Sequence, residues 1–268
     1  MTLETSTGVI KPKINIESDQ VIRQKIQAEL SELGISECPP EILDHLVLLE
    51  ENSNFNDDSR MILEGVKNVL DLEESFKLKP VEKRRLFLAT YLSDIGKSYS
   101  LEVIKLFSVE NIENQNQTVG ETLQASFPSE KEKMIANLKK VEVTSGMSMR
   151  EFWDKHASWT KTILDKHTHL FDKETRIVAA SHHLDRGVNP YEIDIKDVGQ
   201  VTNELKYSIF LLMAVDKYQA LIRRGKKNHE DAVKELRRIL GQYEGDVMMD
   251  TIITTITQLG ATDSLFKE

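Results

Sequence analysis

The sequence is poor in the residues that build several common kinds of site. It holds one cysteine, Cys38, in 268 residues. An intrachain disulfide framework and any CxxC metal motif are therefore excluded. Cys38 stands before Pro39-Pro40 with no histidine nearby and reads as a packed thiol. Long apolar runs are lacking too: the longest, Ile209 to Val215, is far too short to span a bilayer. Met1 to Pro12 has neither a basic start nor an apolar centre, so no export signal is expected and the cytoplasm is the expected location. Excess positive charge is missing as well, the formal net charge being -9. No membrane surface and no dedicated nucleic-acid surface are expected from that balance. The one compact basic run, Arg223-Arg224-Gly225-Lys226-Lys227, reads as a helix C-terminus with dipole-compatible charge, or else as a phosphate-binding patch.

What is present is a succession of helical patterns. Forty per cent apolar residues suits a globular chain. Residues 1–17 carry no period and read as a flexible tail. Ser18 is expected to cap a helix running to about Leu33, ended by Gly34. Pro40 suits the first turn of the next helix, 52–58 reads as a polar break, and Asp57 or Asp58 is expected to cap a helix carrying Ile62, Leu63, Val66, Val69 and Leu70. Pro80 opens another, ended by Gly96. A short helix is expected over 98–107, and the Asn- and Gln-rich stretch 108–127 reads as a loop. A charged helix is expected from Ser129, a long one from about Ser148 to Lys166, a shorter one ending near His183, a long one from about Thr202 to Arg224, and two amphipathic ones to finish. No alternating strand run appears. The predicted fold class is all-α, with an N-terminal helical extension at 18–56, a main helical domain at 57–268 and an insertion at about 108–147.

Histidine placement is the informative feature. His156 lies in the stripe Met149, Phe152, Trp153, His156, Trp159, Thr160 and Ile163, one helix face. It reads as a metal ligand or as a hydrogen-bonded core histidine. Adjacent helical residues point about 100° apart, so His182 and His183 can address one ion only at a helix terminus, which the loop signal from Asp185 supplies. The alternative is one ring buried and one solvated. Asp216 follows an all-round apolar run and needs a strong partner, an ion or a buried cation. Asp94 ends an apolar helix just before Ile95-Gly96-Lys97, as a ligand or as a turn residue bonded to Lys97. Three imidazoles and two carboxylates form a mixed N/O set suited to a divalent ion such as Mn, Fe, Zn, Ni or Mg. If the histidines were unrelated core residues, His156 should lie more than about 8 Å from His182, because metal–imidazole bonds are only about 2 Å long.

The order of these residues resembles the HD superfamily of metal-dependent phosphohydrolases. Leu88-Ala-Thr-Tyr-Leu-Ser93-Asp94-Ile95-Gly96-Lys97 is similar to that family's helix ending in His-Asp-Ile-Gly-Lys. His156-Ala-Ser-Trp-Thr-Lys-Thr-Ile-Leu164 resembles a later helix of the HD-GYP branch. Val178-Ala-Ala-Ser-His182-His183, with Asp185-Arg-Gly-Val-Asn-Pro-Tyr191 after it, resembles the branch's double-histidine segment and Gly-Tyr-Pro loop. Ala214-Val-Asp216-Lys-Tyr-Gln-Ala-Leu221 resembles its closing Asp helix. The resemblance covers about residues 57 to 258. It departs at Ser93, where the family has its namesake histidine, at Asp57–Met61, which lacks an early histidine ligand, and at Leu184, where the branch has Glu. His45, one helix earlier, reads as a partly buried helix residue.

Carried over by position, the resemblance implies metal ligands Asp94, His156, His182, His183 and Asp216. It further implies one ion where relatives hold two, and a catalytic role for Asp94 with Lys97 contacting a phosphate oxygen. Lys97 also reads as a helix-terminal lysine. The expected function is hydrolysis of a phosphomonoester or phosphodiester of nucleotide type, so the expected partner is a phosphorylated small molecule or nucleotide; a homo-oligomer is compatible with the sequence. The other expectation is a catalytically inactive HD-like domain that senses a nucleotide or metal, or docks another protein.

Overall fold

A computed structural model describes residues 16–51, 53–73, 76–109, 112–197, 199 and 201–261. The fold is all-α: among the described residues no strand forms, and the only bridge pairs Thr118 with Ser148. No helix among them is long and apolar enough to cross a membrane. The expected tail at 1–15 lies outside the described residues.

The chain opens with α1 (Ile16–Glu32), α2 (Pro40–Glu50), α3 (Ser53–Leu72) and α4 (Pro80–Leu92). Pro40 and Pro80 each occupy a first helical turn, where the missing N–H costs nothing. Two boundary expectations are corrected here. Helix α1 already runs from Ile16, so Ser18 is not its cap. The expected polar break at 52–58 is mostly helix, because α3 starts at Ser53. Asp58 does not cap it; its carboxylate accepts from Gln219 Nε2 (3.1 Å) and pairs with Arg223. Position 56/57 therefore falls within α3, and the apolar core is continuous from Ile26 of α1 to Ile256 near the end of the chain.

After α4 comes a 3-10 turn, Ile95–Ser98, then α5 (Leu101–Phe107), α6 (Val119–Ser126) and α7 (Lys131–Leu138). The loop expected over 108–127 thus contains a helix. Thr118 and Glu121 form a reciprocal capping box, and Val119 and Leu123 are buried, features that the polar composition conceals. The ends of the segment expected as an insertion are tied together, with Val119 N donating to Met147 O (2.8 Å) and Met149 N to Gln117 O (2.8 Å).

The remaining helices are α8 (Met149–Asp154), α9 (His156–Asp165), α10 (Lys173–Ala180), α11 (Asn203–Arg223), α12 (His229–Ile239) and α13 (Val247–Ala261). The single helix expected from Ser148 to Lys166 is broken at Lys155. Helix α11 is the axle: every residue from Tyr207 to Gln219 is buried, and α3, α10, α12 and α13 pack around it. Helix α9 lies against the 95–98 turn. Gly96 N donates to Thr160 Oγ1 (3.1 Å), and that hydroxyl donates to Ser93 O (3.0 Å).

Gly96 permits this approach. A Cβ there would stand 2.0 Å from His156 O and 2.6 Å from Thr160 N, both backbone atoms that cannot step aside. Gly96→Ala is expected to lower the unfolding free energy by about 2 kcal/mol or more, measured by urea denaturation. A variant as stable as the parent would show that the turn and α9 are not held this tightly.

Candidate metal centre

Two helix ends build the centre with the same local device. His156 Nδ1 donates to Trp153 O (2.5 Å), and His182 Nδ1 donates to Ala179 O (2.8 Å). Both carbonyls lie in the last turn of a helix, α8 and α10, where backbone partners run out. In α8 the imidazole competes with the backbone for Trp153 O, consistent with the break at Lys155. Helix α10 ends at Ala180, so His182 and His183 lie beyond its regular geometry, which lets both face one point.

The consequence is a tautomer. A carbonyl only accepts, so each Nδ1 carries a hydrogen, and in the neutral form of either ring the Nε2 lone pair is turned the other way. Those two atoms face each other at 2.9 Å. Asp94 Oδ1 stands 3.2 Å from His156 Nε2. Three electron-rich atoms thus converge, an arrangement that a cation among them relieves. One ring nitrogen from each of His156, His182 and His183 lies within 4.8 Å of the others, and all three residues are buried. This cluster could hold a metal ion, with the ring orientations fixed in advance by their backbone partners. The separation expected of unrelated core histidines is absent.

The other expected residues surround this group. Asp94 is 5% exposed, and its Oδ2 accepts from Lys97 Nζ (2.8 Å), so it meets both a histidine and the lysine of its own turn. Burial pushes the Asp94 carboxyl up, but the Lys97 ammonium outweighs it and holds the group well below the usual carboxylate range. Asp216 joins less directly: its Oδ2 accepts from Lys217 Nζ (3.1 Å). Burial opposes its charge, yet the Lys217 ammonium brings the carboxyl down to about 2. His183 differs from the other two rings, because its Nδ1 accepts from Lys217 Nζ (3.1 Å).

Ser93 contributes no side chain to the centre, since its hydroxyl donates to Thr90 O within α4 (2.9 Å). His45 is taken up by the 95–98 turn, with Nδ1 3.1 Å from both Ser98 O and Ser98 Oγ. Tyr191 donates to Asp165 Oδ1 (2.7 Å) and anchors its loop to α9.

A cavity of about 790 Å³ opens over the group, with Asp94, Lys97, His156, His183, Asp216 and Lys217 among its lining residues. Nine Lys or Arg residues line it against five Asp or Glu, which makes it electropositive despite the acidic chain. Sequence reading missed four of these cations, Arg150, Arg186, Lys217 and Arg238. Arg150 and Gln115 are brought there by the backbone ties between residues 115–119 and 147–150, Arg150 N donating to Gln115 O (3.0 Å). Arg186 reaches Asp154 (2.8 Å). Arg223, Arg224, Lys226 and Lys227 also line the cavity. The basic run therefore ends helix α11, as the first of its two readings expected, and also lines the cavity.

Burial depresses the His182 ring from 6.5 to about 3 and holds His183 well below 6.5. An unfolded chain takes up those protons near pH 6.5, whereas the folded one refuses them. Stability is then full above that pH and declines as pH falls, by about 1.4 kcal/mol per unit for each such ring. Chelator-treated protein should lose about 2 kcal/mol per ring between pH 6.5 and pH 5, read from urea midpoints. A flat profile would mean that the rings charge freely in the folded state. Compared with protein-family models, curated proteins and solved structures, the chain matches none, so the geometry of this centre is the ground for any functional reading.

Proposed function

We propose that this chain is a metal-dependent phosphohydrolase acting on a phosphomonoester or phosphodiester of nucleotide type, through a reduced HD-type site that takes a single divalent ion. The observation that carries the reading is the position of the converging His156, His182 and Asp94 acceptors beneath a cation-walled cavity. A centre poised for a cation and a wall poised for an anion suit a phosphate ester better than a neutral substrate.

On this reading the Nε2 atoms of His156 and His182 hold the ion together with Asp94, and His183 joins them only by giving up its contact with Lys217, while Asp216 stays paired with that lysine; Mn, Fe, Zn, Ni and Mg all suit the N/O donors. A bound divalent ion supplies a water acidified toward neutrality and polarisation of the phosphoryl group. The remaining work falls to the chain. Lys97 Nζ, fixed by Asp94 and lining the cavity, is placed to meet a phosphate oxygen. The arginines of the wall offer planar donor pairs to further phosphate oxygens. Phe107 and Trp153 provide an apolar side to the same cavity.

One observation favours the second reading, a catalytically inactive HD-like domain that senses a nucleotide or metal or docks another protein. Ser93 is committed to a backbone carbonyl, and both carboxylates are already paired with lysines.

A panel of phosphomonoesters and phosphodiesters, assayed with each of the five ions, separates the two. Wild type should turn over at least one substrate, and Asp94→Ala should reduce that turnover to background. His156→Ala should lower the metal content measured by elemental analysis. Arg224→Glu should raise KM by about tenfold with less effect on kcat, a cost of about 1.4 kcal/mol in binding. Background rates for wild type and Asp94→Ala alike, with metal retained, would leave the non-catalytic reading standing.

A further inference from the structure

Lys217 is 3% exposed, in the middle of the most buried helix, and its amino group sits inside a cage of acceptors. Nζ donates to His182 O, His183 Nδ1 and Asp216 Oδ2, each at 3.1 Å. An ammonium has three hydrogens, and these three partners use them all. A fourth acceptor, Asp185 Oδ1, lies 3.4 Å from Nζ on a side chain that is 2% exposed. That oxygen is buried and accepts no hydrogen bond. Its remaining charge contact is through Oδ2, 3.8 Å from Arg186 Nε.

The composition of this cage is unusual for a lysine. Two carboxylates, an imidazole nitrogen and a carbonyl oxygen form a donor set that a divalent ion of intermediate hardness would accept. An ion would also engage Asp185 Oδ1, which the ammonium leaves without a hydrogen bond. We infer that Lys217 is a built-in cation occupying a second cation site, so that the protein takes one metal ion beside it and is barred from taking two.

This inference rests on the metal reading above and deepens it. It assigns roles to Lys217 and Asp185, neither of which the sequence motifs identify. The ammonium neutralises Asp216 and Asp185 without an ion, and it draws on His183 Nδ1. In a neutral ring that interaction places the hydrogen of His183 on Nε2. Lys217 is thus a positioning residue: it sets the tautomer of one imidazole and the ionic composition of the cavity floor. Its length and single charge suit a position that must stay filled when metal is scarce.

Metal stoichiometry tests the inference independently of catalysis. Chelator-stripped full-length protein would be titrated with Mn(II), Fe(II), Zn(II), Ni(II) or Mg(II), and bound ions counted by calorimetry and elemental analysis. Wild type is expected to hold one ion. Lys217→Met, similar in length but uncharged, is expected to hold two, while Lys217→Met combined with Asp185→Asn should return to one. Because Lys217→Met leaves two buried carboxylates uncompensated, its melting temperature should be low after chelation and should rise on metal addition by more than that of wild type. Lys217→Gln provides a smaller perturbation with the same expected count.

One ion in both wild type and the Lys217 variants, with those variants folded, would overturn the inference and leave the metal reading intact. Two ions in wild type would overturn the inference and, with it, the single-ion part of the proposed function, leaving metal binding itself intact. No ion in wild type, with any of the five metals, would overturn both.

Discussion

The centre depends on one constraint: two histidine rings spend their Nδ1 hydrogens on carbonyls three residues back, at the ends of α8 and α10. Everything chemical follows from the lone pairs this leaves facing each other. Helix termini ordinarily leave carbonyls for water or caps to satisfy. Here an imidazole takes that role twice, and the same bond aims the opposite nitrogen inward. Buried, electron-rich atoms pointed at one another are costly without a cation between them. The backbone therefore imposes a requirement for positive charge before any ligand arrives.

Packing holds the two helix ends at the required separation. Helix α9 can bring His156 to Asp94 only because Gly96 lets the 95–98 turn touch its backbone. Thr160 links both sides of that contact, accepting from Gly96 and donating to Ser93 O. On the other side, the buried α11 carries Asp216 and Lys217 beneath His182 and His183. Adjacent residues on a helix point about 100° apart, so both reach the centre only because α11 is enclosed on every side.

The all-α architecture was legible in the sequence because periodic apolar residues, Pro at helix starts and polar caps report local preferences. The break at Lys155 was not, since no Gly or Pro marks it and a tertiary demand on Trp153 O accompanies it. The helix at 119–126 was hidden by polar composition, although the Thr118–Glu121 spacing carried the capping signal. Among site residues, Asp94, His182 and His183 stood out as chemistry-bearing types at helix ends, and His156 as a histidine on an apolar helix face. Lys217 did not, because a lysine after Asp216 in a helix reads as an ordinary neighbour until burial is known. Asp185 was legible only as loop, and Arg150 joins the cavity through the backbone ties between residues 115–119 and 147–150, a long-range pairing that no local pattern encodes.

Charge at the cavity floor links the two kinds of ligand that the walls and the centre suit. Asp94, Asp185 and Asp216 face two ammonium groups, Lys97 and Lys217, so the floor without an ion carries a small negative excess beneath an electropositive wall. On the proposed reading, a divalent ion reverses the sign of the floor. The cavity is then cationic throughout, and an anion becomes the partner that restores balance. Occupancy of the centre and binding of a phosphorylated ligand must accordingly favour each other, and by thermodynamic linkage the coupling is equal in both directions. A lysine in place of a second ion limits that swing to one ion's charge. The cavity is thereby set to attract an anion without becoming so positive in its absence that the helix ends around it are forced apart.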